Sequence, residues 1–334
     1  MLLQLIITHY KDDQKYVKRL LDSIKLQQDI DFNDIGVMII NDGNEVILDS
    51  SLFSEYDFNI EYYIEEWSGV SGARQHGQDR ATADYIMFCD GDDLFYRMNA
   101  LWEILRVIKT QHPDIITSRF KTDMFESGNS QYECDYFKEY NLENVWIHGK
   151  VFKKEFLNKY NIKWNPKLKI YEDSYYVRLC FSYAPNKINI DETIWFWKYR
   201  TDSITRSDDN WATYTYTEKM DSNAELVKQF VARNKFEDAY NYAYVQLHEC
   251  YFTLLEDYWN CSLFAPYKEK IEKATVKYWR QFGYLAEKID DECAEIIMGV
   301  LRKRFYTDRK RISLEDITYK DWLKDLIERY GKEI

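Results

Sequence analysis

The sequence predicts an α/β fold, a mostly parallel sheet flanked by helices, followed by an α-helical C-terminal domain. Three observations predict it. Short apolar runs of strand length alternate with amphipathic helical patterns over residues 2–199. One of these runs, residues 85–89, leads without a break into Asp90-Gly91-Asp92-Asp93, as expected of a strand buried on both faces whose polar end reaches the sheet's C-terminal edge. Beyond about Asp208 glycine almost vanishes and apolar residues recur every three or four positions. The expected boundary therefore separates residues 1–207 from residues 208–334.

Bulk properties narrow the function classes. The 334 residues suffice for one large or two ordinary domains, and 46 % apolar residues supply a core. Aromatics are rich at 17 %, while 4 Pro and 11 Gly argue against long linkers. A net charge of −12 gives no global attraction to nucleic acid or anionic membrane. Six scattered cysteines without a Cys-x-x-Cys pair suggest reduced thiols. The N-terminus lacks a basic region and its apolar run is too short for a signal peptide. No window approaches the roughly 18 apolar residues of a membrane span. The expected location is cytoplasmic or membrane-peripheral.

The elements follow in order. Residues 2–7 read as a first buried strand, ending in Thr8, His9 and Tyr10. Asp12 or Asp13 can cap a helix carrying Tyr16, Val17, Leu20, Leu21 and Ile24. Residues 35–40 form a second strand ending in Asn41-Asp42-Gly43. Two strands separated by a helix make a parallel βαβ unit; a hairpin turn at 41–43 is the alternative. A third strand spans 60–64. The stretch from Gly69 to Gly77, containing Gly72-Ala73-Arg74, reads as a loop opening a helix, with free N–H groups and an arginine fork suited to phosphate. It lacks the Gly-Lys-Ser/Thr ending of a Walker loop. A helix through Ala100 and Ile108 and a strand over 114–118 follow. Residues 125–140 are polar and aromatic without a period, and residues 144–152 are apolar again. Glu172-Asp173 open a helix, either as plain capping acids or as a carboxylate aimed into a cleft. Residues 188–199 read as one or two strands, and Arg200 to Arg206 as a polar loop.

In the second region helices are expected over 224–230, 239–259, 267–285 and 287–305. Leu247, Tyr251, Leu254, Leu255 and Tyr258 form a stripe suited to a core or to a homo-oligomer interface. Arg302-Lys303-Arg304 and Arg309-Lys310-Arg311 form a basic cluster, a solvated helix end or a contact for a polyanion or membrane surface.

Three carboxylates within four residues repel one another, and a hard divalent cation among them would relieve that. Asp-Gly is also a common turn pair, so a solvated acidic turn fits the same residues. Taken together and in order, Thr8-His9-Tyr10, Asn41-Asp42-Gly43, Gly72-Ala73-Arg74, Asp90-Gly91-Asp92-Asp93, Glu172-Asp173 and Tyr199-Arg200 with Ser203-Ile204-Thr205 resemble glycosyltransferase family 2 over residues 1–207. The resemblance implies the GT-A, Rossmann-like fold, a nucleotide-sugar donor (in particular a UDP-sugar), a Mn²⁺ or Mg²⁺ cofactor, and inverting hexosyl transfer to an acceptor hydroxyl. Thr8, His9 and Tyr10 would line the nucleotide pocket, Asp42 would bond base or ribose, and Gly72, Arg74 and Gly91 would lie along the donor. Asp90 would bond ribose or sugar. Asp92, of the DxD motif, would hold the metal. Asp173 would be the base, with Glu172 beside it, and Arg200, Ser203 and Thr205 would close on the diphosphate. Gln75 and Asn44 depart from the family's usual Asn and Ser. The acceptor expected is a surface glycan or teichoic-acid-like polymer; modified DNA bases, protein or lipid-linked sugar are alternatives.

Two rival readings compete. Haloacid-dehalogenase-type phosphatases also place Asp-x-Asp after a buried strand. There it follows the first strand and the residue two further on is usually Thr or Val; here it follows about the fourth, and that residue is Leu94. A non-catalytic scaffold on the same fold is the second rival, and Asp92, Asp173 and Arg200 together argue against it.

Overall fold

The computed structural model describes residues 1–122, 145–198, 215–255, 265–307 and 317–332, the side chains of 265 and 304–307 excepted. The chain divides into two compact units, Met1–Arg206 and Ser207–Ile334.

The first unit begins with β1 (Leu3–His9), α1 (Gln14–Lys25), β2 (Ile35–Asp42), β3 (Asn59–Glu65), α2 (Gly69–Arg80) and β4 (Tyr85–Asp90). It continues with β5 (Leu94–Phe95), α3 (Ala100–Gln111), β6 (Ile115–Thr122), β7 (Val151–Lys153), α4 (Lys154–Lys159), α5 (Glu172–Tyr183) and β8 (Lys187–Trp197). The strands form one sheet in the order β3-β2-β1-β4-β7-β6-β8-β5. β1 runs parallel to β2 and to β4, and β2 parallel to β3. The registers Thr8↔Asp90 and His9↔Asn41 bring three C-terminal strand ends to one edge. Residues 41–43 therefore end a parallel strand, and no hairpin forms there. β7 departs from the parallel pattern, pairing antiparallel with both β4 and β6; β5 likewise pairs antiparallel with β8. At three and two residues, these strands were too short to show a period.

Burial explains the local choices. Every residue of β2 is buried, as its uninterrupted apolar run requires. α1 buries Val17, Leu20, Leu21 and Ile24 on one face, and Asp13 caps it by accepting from Lys15 N. α2 lies close on β1 because Gly77 has no side chain: a Cβ there would stand 2.3 Å from Ile6 Cγ2. Leu5, Ile7, Val37, Ile39, Met87, Leu101 and Ile104 join these α1 residues in one continuous core. Removing one such side chain costs about 2–5 kcal/mol.

The second unit comprises α6 (Tyr216–Ala232), α7 (Phe236–Leu254), α8 (Ala265–Ala286), α9 (Asp291–Thr307) and α10 (Tyr319–Tyr330). The last helix was not expected, although Trp322, Leu323 and Leu326 carry its buried face and Thr318 caps it. Of the aromatic stripe, Leu247, Tyr251 and Leu254 are buried within the unit. The Tyr251 ring meets Tyr319 and Trp322, and its hydroxyl donates to Ile317 O at 2.7 Å. Tyr258 lies outside the described residues. Among the described residues, no helix is long and apolar enough to cross a membrane. Cys89, Cys180, Cys250 and Cys293 are free thiols; Cys134 and Cys261 lie outside the described residues.

Candidate active site

The site is built where β1, β2 and β4 end. Apolar strands cannot carry carboxylates inside the sheet, so the acids that close β2 and β4 come at its edge. Asp90 closes β4 with its side chain 29 % exposed. Arg74, on α2, is almost wholly buried. Its guanidinium donates through Nη2 to Asp90 Oδ1 at 2.7 Å and through Nη1 to Glu172 Oε1 at 2.8 Å. One side chain thus ties the end of β4 to the start of α5. Trp164 lies under the guanidinium, 4.9 Å from its carbon, and is itself stacked on Tyr176 at 4.1 Å. The helical spacing of Tyr176 after Glu172-Asp173 is visible in the sequence, whereas Trp164 was not singled out, because it is distant along the chain from Arg74 and Asp90.

Glu172 and Asp173 form the first turn of α5. Tyr171 before them adopts a left-handed backbone (φ 58°), a conformation a bulky residue enters at a cost and one that concentrates at functional sites. Burial pushes Glu172 up to about 7, the charge of Asp173 adds to that, and Arg74 opposes it. Burial also raises Asp173, against the pull of Arg74, the Ser174 N–H and Lys150. Asp173 is half-buried, and its Oδ1 accepts from Ser174 N at 2.6 Å. Asp90 moves the other way: burial works to raise it, but Arg74 and His148 together hold it below the usual carboxylate range. The carboxyls therefore have opposed tendencies within one site, the pattern by which proteins separate acid and base roles.

The acidic stretch divides by function. Asp93 is fully buried; its Oδ2 accepts from Trp195 Nε1 at 3.0 Å and its Oδ1 from Lys198 N at 2.9 Å. Burial and the charges of Asp92 and Asp90 push it well above its ordinary value. Asp93 thereby pins β8 and the residue after it to the turn following β4. Asp90, Asp93 and His148 offer ligand atoms within 4.8 Å of one another. With both oxygens of Asp93 already engaged, the carboxylates that keep accessible surface are Asp90 and Asp92. Such oxygen donors suit Mg²⁺ or Mn²⁺.

The other expected residues are placed as follows. Thr8 is half-buried, and its carbonyl accepts from Gly91 N at 3.2 Å. His9 is buried, with Nδ1 2.6 Å from Asn41 Oδ1 and Nε2 2.9 Å from Asp12 O. It braces the loops after β1 and β2. Asp42 is buried and its Oδ1 accepts from Ser68 N at 2.6 Å and Ser68 Oγ at 3.1 Å, which fixes the entry to α2. Gly72 is buried in the first turn of α2. Tyr10 and Trp67 remain exposed with ring centroids 6.4 Å apart. Arg200, Ser203 and Thr205 lie outside the described residues. So do Arg309, Lys310, Arg311 and the side chain of Arg304, while Arg302 and Lys303 are exposed on α9.

The family model for glycosyl transferase family 2 matches residues 4–163, the segment that supplies β1, β2, β4, Arg74 and Asp90. Residues 4–163 belong to glycosyl transferase family 2. The chain is 24 % identical over 220 residues to the glycosyltransferase GlyA of Streptococcus pneumoniae, covering 58 % of this chain and 30 % of that protein. It is 24 % identical over 206 residues to the teichoic acid poly(glycerol phosphate) polymerase of Staphylococcus epidermidis, covering 56 % and 27 %. The matched part spans under a third of either relative. Among solved structures, residues 1–349 of TarS from S. aureus superpose with a TM-score of 0.63 at 15 % identity, covering all of this chain and 92 % of that one. TarS has also been solved with UDP. At this identity the likeness establishes the fold, which is the GT-A fold expected of a family 2 domain.

Proposed function

We propose that the family 2 domain transfers a hexose from a nucleotide diphosphate, in particular a UDP-sugar, to an acceptor hydroxyl with inversion at the anomeric carbon. The observation that carries this reading is the Arg74 fork. It gathers Asp90 and the Glu172-Asp173 turn at one edge of a parallel sheet, where ligands of open α/β sheets bind. The name of the polymerase relative and the UDP bound by TarS support a surface-polymer acceptor and a uridine nucleotide.

Each residue then has a task. Asp173, half-buried with its carboxyl raised by burial, takes the proton of the attacking hydroxyl. Glu172 stays bonded to Arg74 and orients the helix turn that presents Asp173. Asp90 accepts from the ribose or sugar through the oxygen Arg74 leaves open. Tyr10 offers a ring to the base, and Asp42 holds the loop beside it. A divalent cation on Asp92 would, when bound, offset the charge developing on the leaving diphosphate.

Thermal shifts with a panel of nucleotide sugars, with and without Mn²⁺, test this directly, because a ligand of the folded state raises the midpoint. The expected result is a metal-dependent rise with one UDP-sugar that Asp92→Asn loses. Silence across the whole panel would remove the transferase reading.

A further inference from the structure

We propose that α9 (Asp291–Thr307) docks antiparallel on the same helix of a second copy of this chain, forming a two-fold dimer through the second unit.

The helix packs against α7 and buries Leu301 on its inner side. Its outer side carries apolar residues as well. At 3.6 residues per turn, Glu292, Ile296, Gly299 and Lys303 fall on one stripe, with Val300 beside it. All five are exposed, Ile296 to 61 % and Val300 to 56 %. The spacing of four, three and four residues is that of the facing positions in a coiled coil. Leu247 and Tyr251 are consumed inside the unit; the stripe on α9 faces out.

Gly299 supplies an independent observation. A glycine inside a helix weakens it relative to alanine. Packing within the chain does not ask for one here, since a Cβ on Gly299 would find open space among the described residues. A second backbone approaching closely from outside does ask for one.

Charge selects the occupant. The exposed acids Asp291, Glu292 and Glu295 lie in the first half of α9, and the exposed bases Arg302 and Lys303 in the second. A parallel pair of helices would set like charges together. An antiparallel pair about a two-fold axis sets each acidic half against a basic half, and one patch serves both copies. An axis crossing near residue 298 matches the stripe throughout. Ile296 of one copy then lies over Gly299 and beside Val300 of the second copy. Glu295 meets Arg302, and Glu292 meets Lys303, across the same axis. An anionic lipid surface would attract Arg302 and Lys303 but repel the acids of the same helix. The stripe from Glu292 to Lys303 is about 16 Å long, so the dimer is small and dissociates on dilution.

Sedimentation velocity on the full-length chain over a range of concentrations tests this. The wild type is expected to pass from monomer to dimer as concentration rises. Glu295→Arg and Arg302→Glu are each expected to raise the dissociation constant about tenfold or more, because each reversal acts twice across the axis. The double variant Glu295→Arg with Arg302→Glu exchanges the two charges and is expected to recover the wild-type constant. A merely structural effect of either change would not be undone in this way. Ile296→Lys is expected to stay monomeric. These side chains are exposed, so the variants should keep the wild-type far-UV spectrum. A wild-type chain that is monomeric at every concentration overturns the proposal. So does a dimer unmoved by the single reversals, or one that the double variant fails to restore. A monomeric wild type that co-sediments with vesicles of equimolar phosphatidylglycerol and phosphatidylcholine, and loses this in Arg302→Glu, would assign the face to a lipid surface instead.

Discussion

The two units treat buried charge differently. In the first, Arg74 grips two carboxylates on β4 and α5, and among the described residues the buried Lys150 Nζ has no hydrogen-bond partner. In the second, buried polar groups close on one another. Lys219 meets Glu249 at 2.7 Å, Tyr278 donates to Asn223 at 2.5 Å, and Glu272 accepts from both Arg329 and Tyr330. A network satisfied internally stabilises a fold, and one left unbalanced is poised for a ligand. Under the proposed function, the unbalanced network of the first unit is the one that would meet a ligand.

Removing single charges at the sheet edge should separate the two units most clearly. Asp173→Asn and Asp92→Asn are each expected to lower sugar transfer by about 10²–10⁴ or more while leaving the far-UV spectrum and thermal midpoint close to wild type. Leu247→Ala in the second unit should do the reverse. It costs about 2–5 kcal/mol of stability and leaves the response to a nucleotide sugar in place. Loss of that response in folded Leu247→Ala would mean that the second unit also shapes the donor site.

Arg74→Met comes next, because it acts on both properties. Breaking a buried pair typically costs about 3–5 kcal/mol, and here the partners Asp90 and Glu172 would lose their shared cation. Denaturant unfolding measures the cost, and thermal shift with donor measures the lost site. A variant with wild-type stability would show that the guanidinium is not what joins β4 to α5.

These residues differ in how far the sequence revealed them. The parallel core was legible because Ile35–Asp42 and Tyr85–Asp90 are apolar runs with polar ends, and that contrast is a local property. The acids at 90–93 and 172–173 were legible for the same reason. Lys150 and Trp164 were not, since nothing within a few residues of either marks it. Only the antiparallel return of β7 carries Lys150 toward the Asp90 end of β4, and only the fold puts Trp164 beneath Arg74. Asp93 was visible but not separable from its neighbours. Its distinct role depends on Trp195, a hundred residues away. Long-range partners of this kind carry no period, so a pattern reading passes over them.

A pH measurement sharpens the contrast within the first unit. The Glu172 carboxyl lies at about 7 in the folded chain against 4.5 unperturbed, chiefly through burial. The folded state therefore holds a proton there that the unfolded chain has released between those values. Its contribution to stability is present in full below about 4.5 and is lost as pH rises through 7. The thermal midpoint of wild type should fall between pH 5 and 8 relative to that of Glu172→Gln, which carries no titrating group at this position. Parallel curves for the two proteins would place Glu172 outside the buried network.

The smallest expected effect belongs to the second unit's own arginine cluster. Arg329 bonds Glu272 and Asp325 much as Arg74 bonds its two acids, but its side chain is 41 % exposed where that of Arg74 is 4 % exposed. Water screens the pair, and Glu272 keeps the Tyr330 hydroxyl at 2.8 Å when the arginine is gone. Arg329→Met should therefore cost about 1 kcal/mol or less, a fraction of the Arg74→Met penalty, and leave the nucleotide-sugar response unchanged. The two variants remove the same group from the same kind of fork, so their ratio isolates the effect of burial. Equal costs would mean that geometry, and not the dryness of the sheet edge, governs both forks.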